Sequence, residues 1–185
     1  MPESPLVLLL ASGGIDSTAL LDFYIRNDSY VECIHFQYNQ PNAKSERKAF
    51  ENIIKHYHVK GRVFDLKIPM AQRNDELIGR NVFFVLGAGA LGISPSRISI
   101  GIHSDSEYYD CTKEFLFDCQ RILDGYYAGL VKVEAPFIDF TKVDIIKYCK
   151  KYDVPLNMTY SCFRQNNPPC GKCPSCQDRL MINEA

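Results

Sequence analysis

The sequence predicts an α/β protein with an open, mostly parallel sheet and helices on both of its faces. Short apolar runs of strand length alternate along the chain with longer segments whose apolar residues recur every three or four positions. Strands that alternate with helices in this way form parallel sheets through right-handed crossovers. A glycine- and serine-rich turn follows the first apolar run, and a group of cysteines lies near the other end of the sequence.

Five segments have the length and apolar content of buried strands, and the segments between them have helical periodicity. The predicted strands are residues 6–11, 30–36, 61–66, 97–102 and 131–135. The first predicted helix follows the turn and includes residues 19–24; the others cover 45–58, 77–93, 114–127 and 141–152, with Thr141 as the N-cap of the last. Residues 69–76 are predicted to be a polar connection. We therefore expect one α/β domain over residues 1–157 and a cysteine-bearing tail, residues 158–185, packed on it.

Composition limits the class of protein. A chain of 185 residues with 46% hydrophobic and 23% charged residues is typical of one globular domain. The formal net charge of −1 gives no basic surplus, so nucleic acid is not an expected partner. The first apolar run is too short for a signal peptide, and no run approaches the ~20 residues of a membrane span. We expect a cytoplasmic protein that does not contact the membrane.

The turn at residues 12–18, with the sequence SGGIDST, predicts an anion site. Adjacent glycines allow backbone N–H groups to converge, and the start of the following helix leaves further donors unpaired. Ser12, Ser17 and Thr18 add hydroxyl groups, and Asp16 is suited to hold Mg²⁺ or to order the loop. The pattern differs from the GxxxxGK[ST] phosphate loop, because it has no lysine and its glycines are adjacent. The alternative is an ordinary turn between a strand and a helix.

Four cysteines near the end of the sequence, with the spacing C-x7-C-x2-C-x2-C, predict a Zn²⁺ site; they are Cys162, Cys170, Cys173 and Cys176. Four thiolates leave no open position for water, so the expected role of the metal is structural. A redox-active CxxC pair and four unrelated thiols are the alternatives. Three of the other cysteines are expected to pack as small apolar residues, namely Cys33, Cys119 and Cys149. Cys111 adjoins a polar loop and has no clear assignment.

Ligands of open parallel sheets bind where the strands end. The loops that hold Ser12, Gln37, Asp105 and Asp139 follow predicted strands, so we expect them to meet at one edge of the sheet. His103 lies near the same edge. The sequence thus places its polar loops and its glycine turn around one candidate site.

Residues 12–18 resemble the SGGxDS loop of the ATP pyrophosphatases, which cleave ATP between its α and β phosphates. With the cysteine tail, the chain resembles the 7-cyano-7-deazaguanine synthase family, the QueC-like enzymes of the queuosine pathway, over nearly its whole length. The matching short segments, in chain order, are Tyr38-Asn39-Gln40, Gly79-Arg80-Asn81, Asp110-Cys111, Glu114-Phe115, Asp139 with Lys142, Thr159-Tyr160-Ser161-Cys162 and CGKCPSC at 170–176 with Arg179.

The resemblance implies the PP-loop fold (adenine nucleotide alpha hydrolase, or HUP-like) and a ligase that adenylates 7-carboxy-7-deazaguanine with ATP. Ammonia then gives an amide, and a second ATP drives dehydration to the nitrile. The implied ATP-binding residues are Ala11, Ser12, Gly13, Gly14, Ile15, Asp16, Ser17 and Thr18. The implied catalytic residues are Asp16, Ser17, Lys142 and Arg80, with Mg²⁺ as a cofactor. The implied substrate-binding residues are Tyr38, Gln40 and Asp105, and the implied zinc ligands are the four clustered cysteines.

The sequence departs from the family pattern around the acceptor pocket. Pro41-Asn42 stand where the family carries Arg-His, and the segments 69–78 and 103–109 are shorter than their counterparts. One alternative is therefore transfer of the activated carboxylate to another amine, including one on a protein partner. Further alternatives are a tRNA thiolation enzyme of the same superfamily and a zinc-knuckle binding module without catalysis. A homodimer is compatible with the sequence.

Overall fold

The computed structural model of the protein describes residues 5–68, 70, 72–73, 76–164 and 168–184. Its strands are β1 (Leu6–Leu10), β2 (Tyr30–Gln37), β3 (Lys60–Asp65), β4 (Gln72–Arg73), β5 (Glu76–Leu77), β6 (Arg97–Ile100) and β7 (Lys132–Glu134). Its α-helices are α1 (Ile15–Arg26), α2 (Ala43–Tyr57), α3 (Arg80–Ala90), α4 (Lys113–Tyr127), α5 (Lys142–Lys151) and α6 (Pro174–Glu184). Two short 3₁₀ turns cover Tyr109–Cys111 and Leu156–Met158.

Five strands form a parallel sheet in the order β3-β2-β1-β6-β7, while β4 and β5 form a separate antiparallel pair. Strand β1 is central, and the chain leaves it first towards β2 and later towards β6 on its other side. This reversal is the topological switch point at which open α/β sheets bind ligands. The turn that follows β1 therefore lies where a ligand site is expected.

Side chains of β1 alternate between two apolar layers, as the twofold repeat of a strand requires. Val7 and Leu9 pack into a core that also contains residues of α1, α2 and α5, such as Leu20, Phe50 and Ile145. Leu8 and Leu10 face a second core with residues of α3 and α4, such as Val85 and Phe115. Helices thus cover both faces of the sheet, which confirms the predicted fold class.

The observed elements agree with the predicted ones except at helices α1, α3 and α6 and in the connection before α3. Helix α1 begins at Ile15, within the turn predicted over residues 12–18. Helix α3 begins at Arg80 rather than at residue 77, because Gly79 adopts a left-handed conformation (φ 72°) that precedes the first turn. Helix α6 was not predicted, although Pro174 at its first position is typical of a helix start. The predicted polar connection 69–76 contains β4 and the first residue of β5, while residues 69, 71, 74 and 75 lie outside the described residues.

The predicted boundary between a domain, 1–157, and a tail, 158–185, remains a prediction, and residues 1–4, 165–167 and 185 lie outside the described part of the chain. Helix α6 packs against α5. Across the described residues, every helix is too short or too polar to span a membrane.

Candidate active site

The turn between β1 and α1, which we call the phosphate loop (residues 11–18), has a conformation that depends on Gly13. This glycine has a φ of +81°, and a Cβ atom there would lie 2.8 Å from the Glu46 carbonyl oxygen and 2.9 Å from the Phe50 amide nitrogen. A side chain at this position would strain the backbone and also collide with α2. The loop can therefore pack tightly on α2 only with glycine at this position.

The start of α1 has the features of an anion site. Gly14 is its N-cap, and no side-chain cap hydrogen bond forms there within the described structure. The N–H groups of the first turn therefore remain available to a ligand. The Ser12 hydroxyl is exposed, accepts a 3.1 Å hydrogen bond from Gly14 N–H, and lies 3.3 Å from the Ser17 hydroxyl. In contrast, Thr18 is buried and donates to the Gly14 carbonyl oxygen at 2.7 Å, so its hydroxyl supports the loop.

Neighbouring elements hold the phosphate loop from three sides. The N–H of Ala11 donates to the Ile34 carbonyl oxygen at 2.8 Å, and the His35 ring nitrogen Nδ1 lies 3.0 Å from the Ala11 carbonyl oxygen. The N–H of Tyr160 donates to the Gly13 carbonyl oxygen at 2.9 Å. Gly101, just after β6, lies so close that a Cβ atom there would be 3.2 Å from backbone atoms of α1. The loop is therefore fixed by tertiary contacts before any ligand binds.

Lys142 brings the start of α5 to the phosphate loop. Its ammonium nitrogen Nζ lies 2.5 Å from Asp16 Oδ1, and its side chain is only 8% exposed. Its backbone N–H donates to Asp105 Oδ2 at 2.6 Å. Thr141 caps the helix with a full capping box, in which its side chain accepts from Asp144 N–H at 3.1 Å. The cap fixes where Lys142 emerges, and Asp105 contributes by holding the same helix end.

The structure adds a carboxylate to this group that sequence reasoning missed. Asp178, on α6, has its Oδ2 atom 3.9 Å from Lys142 Nζ. Burial raises the pKa of the Asp178 carboxyl, while the nearby Lys142 ammonium opposes that shift. Burial also lowers the pKa of His103, the Lys142 charge lowers it further, and the carboxylates of Asp16, Asp105 and Asp178 oppose the shift. The signal in the sequence would have been a helix start at Pro174, which places Asp178 one turn into α6.

A second polar group lies around the predicted substrate residues, and its centre is Glu46, which sequence reasoning also missed. The Tyr38 ring packs against Phe84, and the Tyr38 N–H donates to Gln40 Oε1 at 2.8 Å. The Gln40 amide donates in turn to Glu46 Oε2 at 2.8 Å. We call Tyr38, Gln40, Glu46 and Arg80 the acceptor group. Gln40 is buried and both ends of its amide are engaged, so it orders the loop after β2.

Arg80 belongs to this acceptor group. Burial raises the pKa of Glu46, whereas Gln40, Arg80 and Asn42 oppose that shift by stabilising the carboxylate. Burial likewise raises the pKa of the Tyr38 hydroxyl, and the charge of Arg80 opposes it. Arg80 therefore lies near Tyr38 and Glu46. The other three predicted catalytic residues, Asp16, Ser17 and Lys142, form a separate group at the phosphate loop. The predicted role of Arg80 towards pyrophosphate stays a prediction.

The four predicted metal ligands come together in the structure. The Sγ atoms of Cys162, Cys170, Cys173 and Cys176 all lie within 4.8 Å of one another, and none is in a disulfide. Tetrahedral zinc with Zn–S bonds of roughly 2.3 Å holds its sulfurs about 3.8 Å apart, so this donor set fits the ion. Backbone N–H groups of Lys172 and Cys173 lower the pKa of the Cys170 thiol to about 6, which favours the thiolate that a metal requires.

Contacts of the cysteine segment reach the acceptor group and also hold the segment itself in place. The Asn42 amide donates to the Cys162 carbonyl oxygen at 2.8 Å and to Glu46 Oε1 at 2.9 Å. The Arg179 guanidinium donates to the Leu156 carbonyl oxygen at 3.0 Å and to Thr159 Oγ1 at 2.7 Å. The fold of this segment therefore bears directly on the geometry of the site.

The remaining cysteines behave as small apolar residues. Cys33, Cys119 and Cys149 are buried, and burial raises their thiol pKa values to about 12, 11 and 12. Cys111 is half-buried, and burial raises its pKa as well. None of these four thiols has the lowered pKa of an activated cysteine nucleophile.

Comparison with known proteins identifies relatives over almost the whole chain. The sequence model of a family described as queuosine biosynthesis protein QueC matches residues 6–81 and 71–184. The 7-cyano-7-deazaguanine synthase of Archaeoglobus fulgidus is 32% identical, with 93% of this chain and 83% of the relative covered. That of Aquifex aeolicus is 30% identical, with 94% of each chain covered. That of Nautilia profundicola is 29% identical, with 94% and 90% covered.

Solved structures with a similar fold are more distant in sequence. The U34-tRNA thiolase NcsA of Methanococcus maripaludis has a TM-score of 0.58 at 13% identity, covering 98% of this chain and 65% of its own. The NMN synthetase of Francisella tularensis has a TM-score of 0.58 at 15% identity, with 89% and 70% covered. A 4-thiouridine synthetase bound to RNA and ATP has a TM-score of 0.57 at 17% identity, with 96% and 50% covered. At these identities the likeness establishes the fold alone.

Proposed function

The chain belongs to the QueC family of queuosine biosynthesis proteins, and on that basis we propose that it converts 7-carboxy-7-deazaguanine into 7-cyano-7-deazaguanine with ATP and ammonia. In the first step a carboxylate oxygen attacks the α-phosphorus of ATP and pyrophosphate leaves. Ammonia then attacks the acyl carbon of the adenylate, which releases AMP and a proton and leaves an amide. The amide oxygen then attacks the α-phosphorus of a second ATP and pyrophosphate leaves, after which loss of AMP with two N–H protons gives the nitrile.

The observation that carries the proposal is the Asp16–Lys142 ion pair at the uncapped start of α1. Phosphate groups are favoured there by the unpaired N–H groups and by the helix dipole. The exposed Ser12 hydroxyl and the Ser17 hydroxyl lie beside the same N–H groups. Such preorganised donors stabilise the charge that develops on a leaving pyrophosphate.

Asp16 is the residue that would hold Mg²⁺, which supplies charge neutralisation of the phosphates when bound. Lys142 supplies a second positive charge from a side chain that is almost fully buried. A buried ammonium interacts with phosphate more strongly than an exposed one, because little water screens it. No residue need act as a covalent nucleophile, since ATP itself activates the carboxylate.

The acceptor group is suited to bind a planar, polar base with a carboxylate. Tyr38 offers a ring and a hydroxyl, Arg80 offers a guanidinium that can pair with a carboxylate, and Glu46 offers an acceptor for N–H groups. Tyr38 lies on the loop after β2, Glu46 on α2 and Arg80 at the start of α3. Because Gly13 packs on α2, this group lies next to the phosphate loop. This arrangement supports a carboxylate substrate held beside the ATP site.

The four clustered cysteines are proposed to bind one structural Zn²⁺. Their sulfurs fill all four positions of a tetrahedral site, so a bound ion would have no open position for water or substrate. The role of the ion would be to fix the segment that supports Gly13 and Asn42. We also propose residues 1–157 as the ATP-binding domain and residues 158–185 as the zinc-binding tail.

One observation favours a second candidate, in which the activated carboxylate is transferred to an amine other than ammonia. The side chain of Ile78, two residues before Arg80, is 39% exposed, and that of Phe83, three residues after Arg80, is 37% exposed. A reactive adenylate needs protection from water. A protein that covers these apolar side chains would supply that protection together with its own amine.

The test is mass spectrometry of the products formed from ATP, 7-carboxy-7-deazaguanine and ammonia, together with an assay of pyrophosphate release. We expect release that depends on the carboxylate, followed by amide and nitrile. Asp16→Asn should lose at least about 2–4 kcal/mol of transition-state stabilisation. Adenylate without nitrile would favour the other acceptor, and no carboxylate-dependent pyrophosphate would refute both. Full activity in Cys111→Ser would argue against sulfur transfer.

A further inference from the structure

The Lys142 ammonium group is shared by two carboxylates that come from opposite ends of the sequence. Asp16 Oδ1 is 2.5 Å from Lys142 Nζ, and Asp178 Oδ2 is 3.9 Å from the same nitrogen. The Lys142 side chain is 8% exposed, whereas the Asp16 and Asp178 side chains are 26% and 33% exposed. Asp178 is thus the second counter-charge of a nearly buried cation.

A buried ammonium group is stable only while an opposite charge stays close to it. Asp16 fills that role at short distance in the structure. Asp16 is also the carboxylate that the proposed function assigns to the nucleotide and its metal ion. When Asp16 makes those contacts, its hold on Lys142 weakens. Among the described residues, the other carboxylate within 4 Å of the ammonium is then that of Asp178.

The position of Asp178 is fixed by its neighbours in sequence. Arg179, the next residue, donates hydrogen bonds to the Leu156 carbonyl oxygen and to Thr159 Oγ1. Cys176 belongs to the cysteine cluster that precedes Asp178 on α6. Asp178 therefore lies on a helix start that is anchored on both sides of it, so its carboxylate can hold Lys142 without a large rearrangement.

We propose that Asp178 is a positioning residue for Lys142, which holds the ammonium group in place when Asp16 engages the metal-bound nucleotide. This role rests on the proposed function for the identity of the nucleotide site. It goes beyond that function in stating which carboxylate, Asp16 or Asp178, neutralises Lys142. It makes the tail a part of the ATP site through a charged side chain, in addition to its role in supporting the loops.

The test uses Asp178→Asn, which removes the charge and keeps the shape of the side chain. Binding of α,β-methylene-ATP, which resists cleavage between the α and β phosphates, is measured with and without magnesium. We expect unchanged affinity without magnesium, because Lys142 still pairs with Asp16. With magnesium, the concentration that gives half-maximal binding should rise roughly 10–100-fold, as for residues that orient metal ligands from outside the coordination shell.

Two further variants separate this role from a structural one. Asp178→Glu restores the charge and should recover most of the magnesium response. In a Lys142→Met background, Asp178→Asn should have no further effect, because the two residues act as one unit. Glu51→Gln, which removes a carboxylate from an exposed ion pair with Arg47, is the control and should match the parent protein.

The proposal is overturned if Asp178→Asn lowers thermal stability and also lowers nucleotide affinity equally with and without magnesium. It is likewise overturned if the substitution changes neither affinity nor its magnesium dependence. It is also overturned if the two losses multiply in the double variant. These binding readouts do not require turnover. If the parent protein fails to consume 7-carboxy-7-deazaguanine, the proposed function fails while the magnesium response of Asp178→Asn still decides this inference.

Discussion

The N–H of Tyr160 donates a 2.9 Å hydrogen bond to the carbonyl oxygen of Gly13, which joins the phosphate loop to the cysteine segment. Gly13 is the phosphate-loop residue with φ of +81°, and Tyr160 lies two residues before the first clustered cysteine. A backbone hydrogen bond at this point fixes the direction of the Gly13 carbonyl and hence of the next N–H groups. The cysteine segment therefore supports the anion site directly.

Together with the proposed Zn²⁺ and ATP sites, this relationship predicts that loss of the metal weakens nucleotide binding. Cys173→Ser should lower the zinc content from one ion per chain, lower the melting temperature and weaken binding of an ATP analogue, because the segment around Tyr160 loosens. Elemental analysis, thermal denaturation and calorimetric titration measure these three effects. Cys111→Ser, outside the cluster, is the matched control. An unchanged analogue affinity in zinc-free Cys173→Ser would contradict the prediction.

Gly13→Ala is expected to abolish binding of the ATP analogue. The left-handed backbone alone costs about 1–3 kcal/mol for a residue with a Cβ atom, and contacts of 2.8 and 2.9 Å with α2 add to that strain. Gly125→Ala is the control, because a Cβ atom at this position of α4 meets nothing within 4 Å. That variant should be more stable by about 0.5–1 kcal/mol. Urea denaturation measures the stability of both variants, and titration with the ATP analogue measures their binding. Normal binding in Gly13→Ala would contradict the prediction.

Asn42→Asp should destabilise the protein by about 1–3 kcal/mol, since a buried amide donor is replaced by a carboxylate oxygen. The new oxygen would face Glu46 Oε1 and the Cys162 carbonyl oxygen, both of which now accept hydrogen bonds from Asn42. Urea denaturation measures the loss. Asn39→Asp is the control, because Asn39 is exposed and aspartate also tolerates its left-handed φ of 62°. Equal stability of the two variants would show that the Asn42 contacts contribute little.

His35 predicts a pH dependence of stability. Burial lowers the pKa of the His35 imidazole below its ordinary value of about 6.5, and Nε2 has no hydrogen-bond partner among the described residues. The folded state thus holds a neutral ring, whereas the unfolded chain takes up a proton below about pH 6.5. This contribution to stability is fully present above pH 6.5 and is lost as the pH falls, by at most about 1.4 kcal/mol per pH unit.

The measurement is urea denaturation between pH 7.5 and 5.5, where we expect the free energy of unfolding to decrease. His35→Gln removes the titrating ring while keeping an N–H donor for the Ala11 carbonyl oxygen, so it should flatten the curve. His103→Gln removes the other histidine whose pKa burial lowers, and it should leave the His35 contribution in place. An identical slope in His35→Gln and the parent would rule out this histidine as the cause.

The fold was predictable because its signals are local. Strands such as β1 are buried on both faces, and an apolar run such as Leu6–Leu10 indicates that directly. The capping box of Thr141 and Asp144 lies within one helical turn, so Thr141 was predicted as the N-cap of α5 and is confirmed. The cysteine cluster was predicted from spacing alone for the same reason.

The parts of the site that were missed depend on contacts between distant segments. Glu46 looks like one of many charges on an amphipathic helix, and only the packing of α2 on the phosphate loop buries it beside Gln40. Asp178 lies between the last clustered cysteine and Arg179 and was given no role, and only the packing of α6 on α5 brings it to Lys142. Pairings of this kind leave no periodicity in the sequence.

The hydrogen bond from Tyr160 to Gly13 also has a consequence for the order of events during protein synthesis. A growing chain acquires the last strand of the sheet, β7, when Glu134 has been added, well before Tyr160 and Asp178 exist. The loop after β1 is complete only when Tyr160 has been synthesised and can bond to Gly13. Contacts between such distant positions form late because loop closure opposes them. The nascent sheet can therefore be folded while its phosphate loop is still incomplete.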